Sequence, residues 1–144
     1  MMLRGVFAGC IIALLGGPLL AQSAPDESRT TKSGVYTAAQ AAKGGELYAL
    51  NCSSCHSAAT HASPAFVAKW TGHQLAELYQ YMNQEMPKEN PGSLSPKEYT
   101  LVLAYMLKMN GMPAGRSELP SDPALLEKIK IDLKPMRDSS SRQP

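Results

Sequence analysis

Cys52-Ser53-Ser54-Cys55-His56 constrains this chain more than any other stretch. Two thiols two residues apart, followed at once by an imidazole, make a C-x-x-C-H pentapeptide, the attachment signature of c-type haem. The chemistry sets the spacing. The thiols add across the two vinyl groups of one porphyrin, and a two-residue gap lets both sulfurs reach them. The next side chain then falls under the ring with a nitrogen aimed at iron. Cys52 and Cys55 are the expected thioether positions of one haem c, and His56 is the expected proximal ligand. A metal-bound imidazole needs its other nitrogen hydrogen-bonded, and a backbone carbonyl near Pro64 is the expected acceptor.

Two other chemistries use C-x-x-C. Structural zinc wants four protein ligands, usually from two such pairs. Here one pair plus His56 leaves His61 and His73 as fourth-ligand candidates. A thioredoxin-like dithiol sits at a strand-to-helix junction, and no strand pattern precedes Cys52.

The start of the chain points to export. Arg4 is the only charge ahead of an apolar run from Val6 to Leu20, and Ala21, Ser23 and Ala24 offer small-residue cleavage sites. This reads as a secretory signal peptide over 1–24, too short for a membrane span. The expected location is therefore the periplasm, without stable membrane insertion after cleavage. Cys10 lies inside the apolar run and leaves with it. Only the pentapeptide thiols then remain, and covalent attachment protects them from oxidation to a disulfide in an oxidising compartment.

The mature chain, roughly 120 residues, leaves a modest core. With two Phe and one Trp in the sequence, a buried haem supplies apolar volume that side chains do not. The whole chain has 14 Lys+Arg against 12 Asp+Glu; losing Arg4 leaves it near neutral. That balance supports neither nucleic-acid binding nor a polybasic membrane contact.

The fold class read from the pattern is all-α: a small single domain with three main helices wrapped around one haem. Residues 25–34 read as a flexible leader, 35–115 as the haem domain, 116–134 as an extension packing on it, and 135–144 as a disordered tail. Thr37 caps a first helix running to Asn51, and Gly44-Gly45 inside it implies a close backbone approach. A second helix is bounded by Thr71 and Asn83, with Thr71 and Gln74 as its capping box. Pro87 ends it at Met86. The third starts at Ser95-Pro96 with Glu98 closing a capping box, and stops at Gly111. Asp122-Pro123 starts a short helix through Leu125, Leu126 and Ile129, or else Ile129, Ile131 and Leu133 alternate as an extended segment.

The second axial position decides the function. An open position admits substrate or gas; a filled one leaves electron transfer. Met82, Met106 and Met109 lie on helical apolar stripes and read as core, and Met136 lies in the tail. Met86 and Met112 are each followed by Pro outside helix. Met112 follows a helix-stopping Gly and packs back on its own helix, so Met86 is favoured as the ligand. His61 is too close to His56 to cross the ring, and His73 faces solvent. Trp70 is a candidate hydrogen-bond donor to a haem propionate, or an ordinary packed indole. Lys69 and Lys88 are candidates to flank the haem edge, though each also reads as a solvated lysine.

Together these residues resemble a bacterial class I cytochrome c, over roughly Gly34 to Gly115. The shared features are Gly44 and Tyr48 ahead of the pentapeptide, then Met86-Pro87, then Ala104-Tyr105. The resemblance implies that the first and last helices cross at Gly44 with Tyr48 and Tyr105 beside it. Gly34-Val35-Tyr36-Thr37 with Gln40-Ala41, and Pro91-Gly92-Ser93-Leu94-Ser95, look like a narrower group that accompanies periplasmic dehydrogenases, quinoprotein alcohol dehydrogenases among them. The short Ala/Ser-rich loop from His56 to Pro64 departs from the family pattern. The implied function is one-electron transfer rather than enzymatic catalysis, with a dehydrogenase as donor and a terminal oxidase or another cytochrome as acceptor. A dedicated cytochrome subunit of a dehydrogenase complex is the alternative, and a gas-binding or peroxidatic haem protein a third.

Overall fold

Thr37 opens the first long helix, α1 (Ala38–Asn51), through a complete capping box: its hydroxyl accepts from the Gln40 amide, and the Gln40 side chain accepts from the Thr37 amide, both at 3.2 Å. The computed structural model describes residues 29–133. Its other helices are α2 (Pro64–Trp70), α3 (Leu75–Glu85), α4 (Pro96–Met109) and the single turn α5 (Pro123–Leu126). Short 3-10 turns lie at Thr31–Ser33 and Ala58–Ala62. The expected all-α class is what the structure has. No helix of the described residues is long and apolar enough to cross a membrane.

Gly44 positions α1 on α4. A Cβ there would lie 1.8 Å from the Leu101 carbonyl oxygen, so only glycine lets the two backbones meet. Tyr48, one turn further along α1, packs against Tyr105 of α4 with 5.3 Å between ring centroids. The close crossing that the glycine and the two tyrosines imply is present. It fixes where α1 ends, and therefore where Cys52 begins.

Ser95 and Pro96 start α4 as the sequence predicts, and Gly111 ends it in the left-handed region at φ 72°. The Glu98 carboxylate accepts from the Ser95 amide and from its hydroxyl, both at 2.7 Å. The hydroxyl first and the amide second hold the Glu98 carboxyl below its ordinary value of 4.5. A depressed carboxyl stabilises the fold above that ordinary value and loses the effect as pH falls through the depressed one. The stability advantage of wild type over Glu98→Gln is therefore expected to shrink across that acidic window. Urea midpoints of both proteins, compared at neutral and acidic pH, measure it.

The second helix departs from expectation. Thr71 is not its cap: the Thr71 amide donates to the Val67 carbonyl (3.0 Å) and closes α2, a helix that the sequence reading left out. Gln74 caps α3 instead, with Glu77 Oε1 accepting from the Gln74 amide (2.9 Å). Two turns of helix and the Gly72 corner thus stand between the pentapeptide loop and α3.

Of the expected leader, residues 29–34 are described, and they are bonded into the fold. Arg29–Thr30 (β1) pairs in parallel with Ile129–Lys130 (β2), and Thr31 is fully buried. The Thr31 hydroxyl accepts from the Asp132 amide (2.9 Å), and Lys32 pairs with Asp132. Residues 29–34 are part of the fold because a partner about a hundred residues away supplies their hydrogen bonds. The two readings of the region after Asp122 both occur, as α5 followed by β2. Leu119, Leu126, Ile129, Ile131 and Leu133 all enter the same core as Tyr36, Leu75, Tyr99 and Leu103. The expectations for 1–24 and 135–144 lie outside the described residues.

Candidate haem site

The α1–α4 crossing, α2 and the end of α3 surround a cavity of ≈ 340 Å³, within the range of roughly 300–1,000 Å³ for small-molecule and cofactor sites. Cys52, Cys55 and His56 line it from the turn after α1, and Met86 lines it from the C-cap of α3. Phe66, Trp70, Leu78, Val102, Met82 and Met106 give it apolar walls. Met112 is not among its lining residues. It is buried where its carbonyl accepts from the Tyr36 hydroxyl at 2.6 Å.

Local bonding shapes the pentapeptide turn. The Cys52 amide donates to the Tyr48 carbonyl (2.9 Å), and the His56 amide donates to the Cys52 carbonyl (2.9 Å). The motif is thus a hydrogen-bonded turn leaving the end of α1. Cys52 is half-buried and Cys55 exposed, and the two are not joined in a disulfide.

Tyr48 anchors the loop that follows. Its hydroxyl lies 3.3 Å from the His56 carbonyl, 3.2 Å from the Ser57 carbonyl and 2.9 Å from His61 Nδ1. Burial first, then the charges of Cys52 and Tyr105, push its pKa up to about 12, so it stays protonated. Burial first and His56 second bring His61 down to about 4, so its ring is neutral. The His61 carbonyl accepts from Asn110 Nδ2 at 2.8 Å, which ties the loop to the end of α4.

Among the described residues the His56 ring makes no hydrogen bond to a carbonyl near Pro64. The His56 ring lies against the His61 ring instead, with 4.8 Å between centroids. The Thr60, His61 and Ser63 carbonyls are already engaged, by the Ser63 amide, by Asn110 and by the Val67 amide. Ser63 and Pro64 are the cap and first residue of α2, and helix formation takes the carbonyl there.

Met82 and Met106, read as core, are buried and also wall the cavity. Trp70 is 7% exposed and lines the cavity beside Phe66 and Tyr81, at 6.4 and 5.5 Å between centroids. Lys69 is more than a solvated lysine: its ammonium sits 4.9 Å from the Trp70 ring and 4.5 Å from the Tyr81 ring. Lys88 is exposed and lies 3.5 Å from Glu85. His73 is exposed, with Nδ1 2.7 Å from a Glu77 carboxylate oxygen.

Two thiols, an imidazole, a thioether and apolar walls on one cavity fit a flat apolar macrocycle that carries iron. They do not fit structural zinc, because among the described residues no three His, Cys, Asp or Glu side chains converge to hold a metal ion. A helical domain with this loop and this cavity resembles a cytochrome c domain. Residues 39–106, a little under half of the chain, match the family model described as cytochrome c oxidase, cbb3-type, subunit III. No curated protein and no solved structure matches the chain. The match supports a class I cytochrome c domain, and such a domain implies covalently bound haem c and a role in electron transfer rather than enzymatic catalysis.

Proposed function

We propose that the protein is an exported, periplasmic one-electron carrier with a single haem, and that His56 and Met86 are its axial iron ligands. The observation that carries this reading is that Met86 shares one cavity with Cys52, Cys55 and His56, whereas Met112 does not. When bound, the haem supplies a ferric/ferrous couple. His56 gives that iron a nitrogen donor and Met86 a soft thioether, a pairing that raises the reduction potential relative to harder ligands. Phe66, Leu78 and Val102 keep water from the walls. Trp70, which lines the cavity beside the Lys69 ammonium, is the proposed hydrogen-bond donor to a haem propionate.

The partners proposed are a periplasmic dehydrogenase as donor, of the quinoprotein kind, and a terminal oxidase or another cytochrome as acceptor. The matched family's description, an oxidase subunit, supports the acceptor side. The second reading is a dedicated subunit of a dehydrogenase complex. It is favoured by Leu50, an apolar side chain 81% exposed just before Asn51 and Cys52 of the cavity wall. Stable co-purification with a larger partner supports that reading over a free carrier.

The ferric protein is expected to show the methionine-to-iron charge-transfer band, and the ferrous protein to bind CO poorly at neutral pH. Met86→Ala is expected to abolish the band and open the iron to CO, while Met112→Ala leaves both unchanged. The opposite pattern reassigns the ligand, and ready CO binding by wild type favours a gas-binding protein.

A further inference from the structure

Met86 closes α3, and the chain then runs through Pro87 to Leu94 without helix or strand before α4 begins. A ligand at the root of such a loop is placed only as well as the loop is held. Inside the loop, the Asn90 amide donates to the Pro87 carbonyl (2.9 Å) and the Ser93 amide to the Asn90 carbonyl (3.3 Å). These bonds shape the loop but do not fix it to the domain.

Tyr99 does. It sits in the first turns of α4 with its residue 1% exposed, and its ring packs edge-on against Tyr79 of α3 at 6.1 Å. Its hydroxyl donates to the Met86 carbonyl (2.6 Å) and accepts from the Gly92 amide (3.1 Å). One oxygen thus joins the backbone of the proposed ligand to the middle of its loop, and both to the helix that walls the cavity with Val102 and Met106. Phenylalanine would keep the ring contacts and leave the carbonyl and the amide without this partner.

The geometry points to Tyr99 as the positioning residue for the methionine ligand: its hydroxyl holds Met86 toward the iron and so sets how strongly the thioether competes with outside ligands. This rests on Met86 being the axial ligand.

The test is an imidazole titration of the ferric holoprotein, read by loss of the methionine-to-iron band. Tyr99→Phe is expected to bind imidazole about ten-fold more tightly, the change that one buried hydrogen bond supports. Tyr36→Phe is the matched control. It removes a hydroxyl that also donates to a methionine carbonyl at 2.6 Å, from a ring equally buried, but at Met112. It is expected to keep wild-type affinity. Wild-type affinity in Tyr99→Phe overturns the inference while the ligand assignment stands. An equal rise in Tyr36→Phe also overturns it, since general loosening then explains the effect. Persistence of the band in Met86→Ala overturns the ligand assignment and the inference together. Should Tyr99→Phe fail to fold, hydrogen exchange on wild type decides. The Gly92 amide is expected to be protected in the ferric protein and to lose protection when imidazole saturates the iron. An amide that is unprotected throughout, or unaffected by imidazole, overturns the inference.

Discussion

Gly44→Ala is expected to destabilise the protein by about 3 kcal/mol or more, the upper end of overpacking costs. In an isolated helix the same change would stabilise by roughly 1 kcal/mol. The contact decides the sign. The new Cβ would meet the Leu101 carbonyl oxygen at 1.8 Å and its carbon at 2.5 Å. Both atoms belong to the α4 backbone, which has no rotamer to change, so α1 must lift away from α4. That movement pulls Tyr48 from Tyr105 and shifts the end of α1, which carries Cys52. Gly45→Ala is the internal contrast. Its Cβ would meet only the Tyr105 ring, at 3.2 and 3.3 Å, and that half-buried ring can give by tenths of an ångström. Its stability is expected to stay within about 1 kcal/mol of wild type, because the helix-propensity gain offsets the contact. Denaturant unfolding of the two variants measures the difference. Equal stabilities would show that the backbones do not touch at Gly44.

What the sequence disclosed were features whose determinants lie within a few residues. The Thr37 and Ser95 caps, the Gly111 stop and the pentapeptide are local patterns, and each is found in place. The start of α2 carries the same signal as that of α4, Ser-Pro, with the Ser63 hydroxyl accepting from the Phe66 amide at 3.2 Å. It went unread because seven residues are too few to repeat an apolar stripe. The same gap gave Thr71 a capping role that belongs to Gln74. Residues 29–34 looked like a leader because a two-residue strand has no periodicity of its own; its partner β2 is set by the far end of the chain. At the site, neighbouring residues single out His56 and Met86, and both line the one cavity. The cavity walls are not singled out in this way. A helical stripe reads alike whether it meets another helix or a cofactor, so Met82 and Met106 passed for ordinary core. Tyr99 gave no local sign, because its hydroxyl acts on residues seven and thirteen positions earlier.

Leu126→Ala is expected to cost about 2–5 kcal/mol, the range for emptying a fully buried leucine site, although Leu126 lies twenty positions beyond the stretch that matches the family. Four residues of helix have no stability of their own. The α5 turn therefore exists because Leu126, with no exposed surface, fills a gap against α3, while Asp122 caps it through the Ala124 amide at 2.9 Å. The chain after it is stitched to the same place. The Gly72 amide donates to the Ile131 carbonyl and the Ile131 amide to the His73 carbonyl, both at 2.8 Å, just ahead of α3. Upstream, Leu119 exchanges two hydrogen bonds with the buried Gln40 side chain of α1, at 2.8 and 3.0 Å. Losing the leucine leaves a cavity that this bonded frame cannot close, which puts the cost well above that of a surface change. Leu125→Ala tests the argument at the neighbouring position. Leu125 is 46% exposed, so its truncation is expected to change stability by no more than about 0.5 kcal/mol. Thermal melts of the two ferric proteins separate a structural strap from a decorative tail: a large drop for Leu126→Ala beside a small one for Leu125→Ala makes residues 116–133 part of the haem domain's core, and equal small drops would make them dispensable to it.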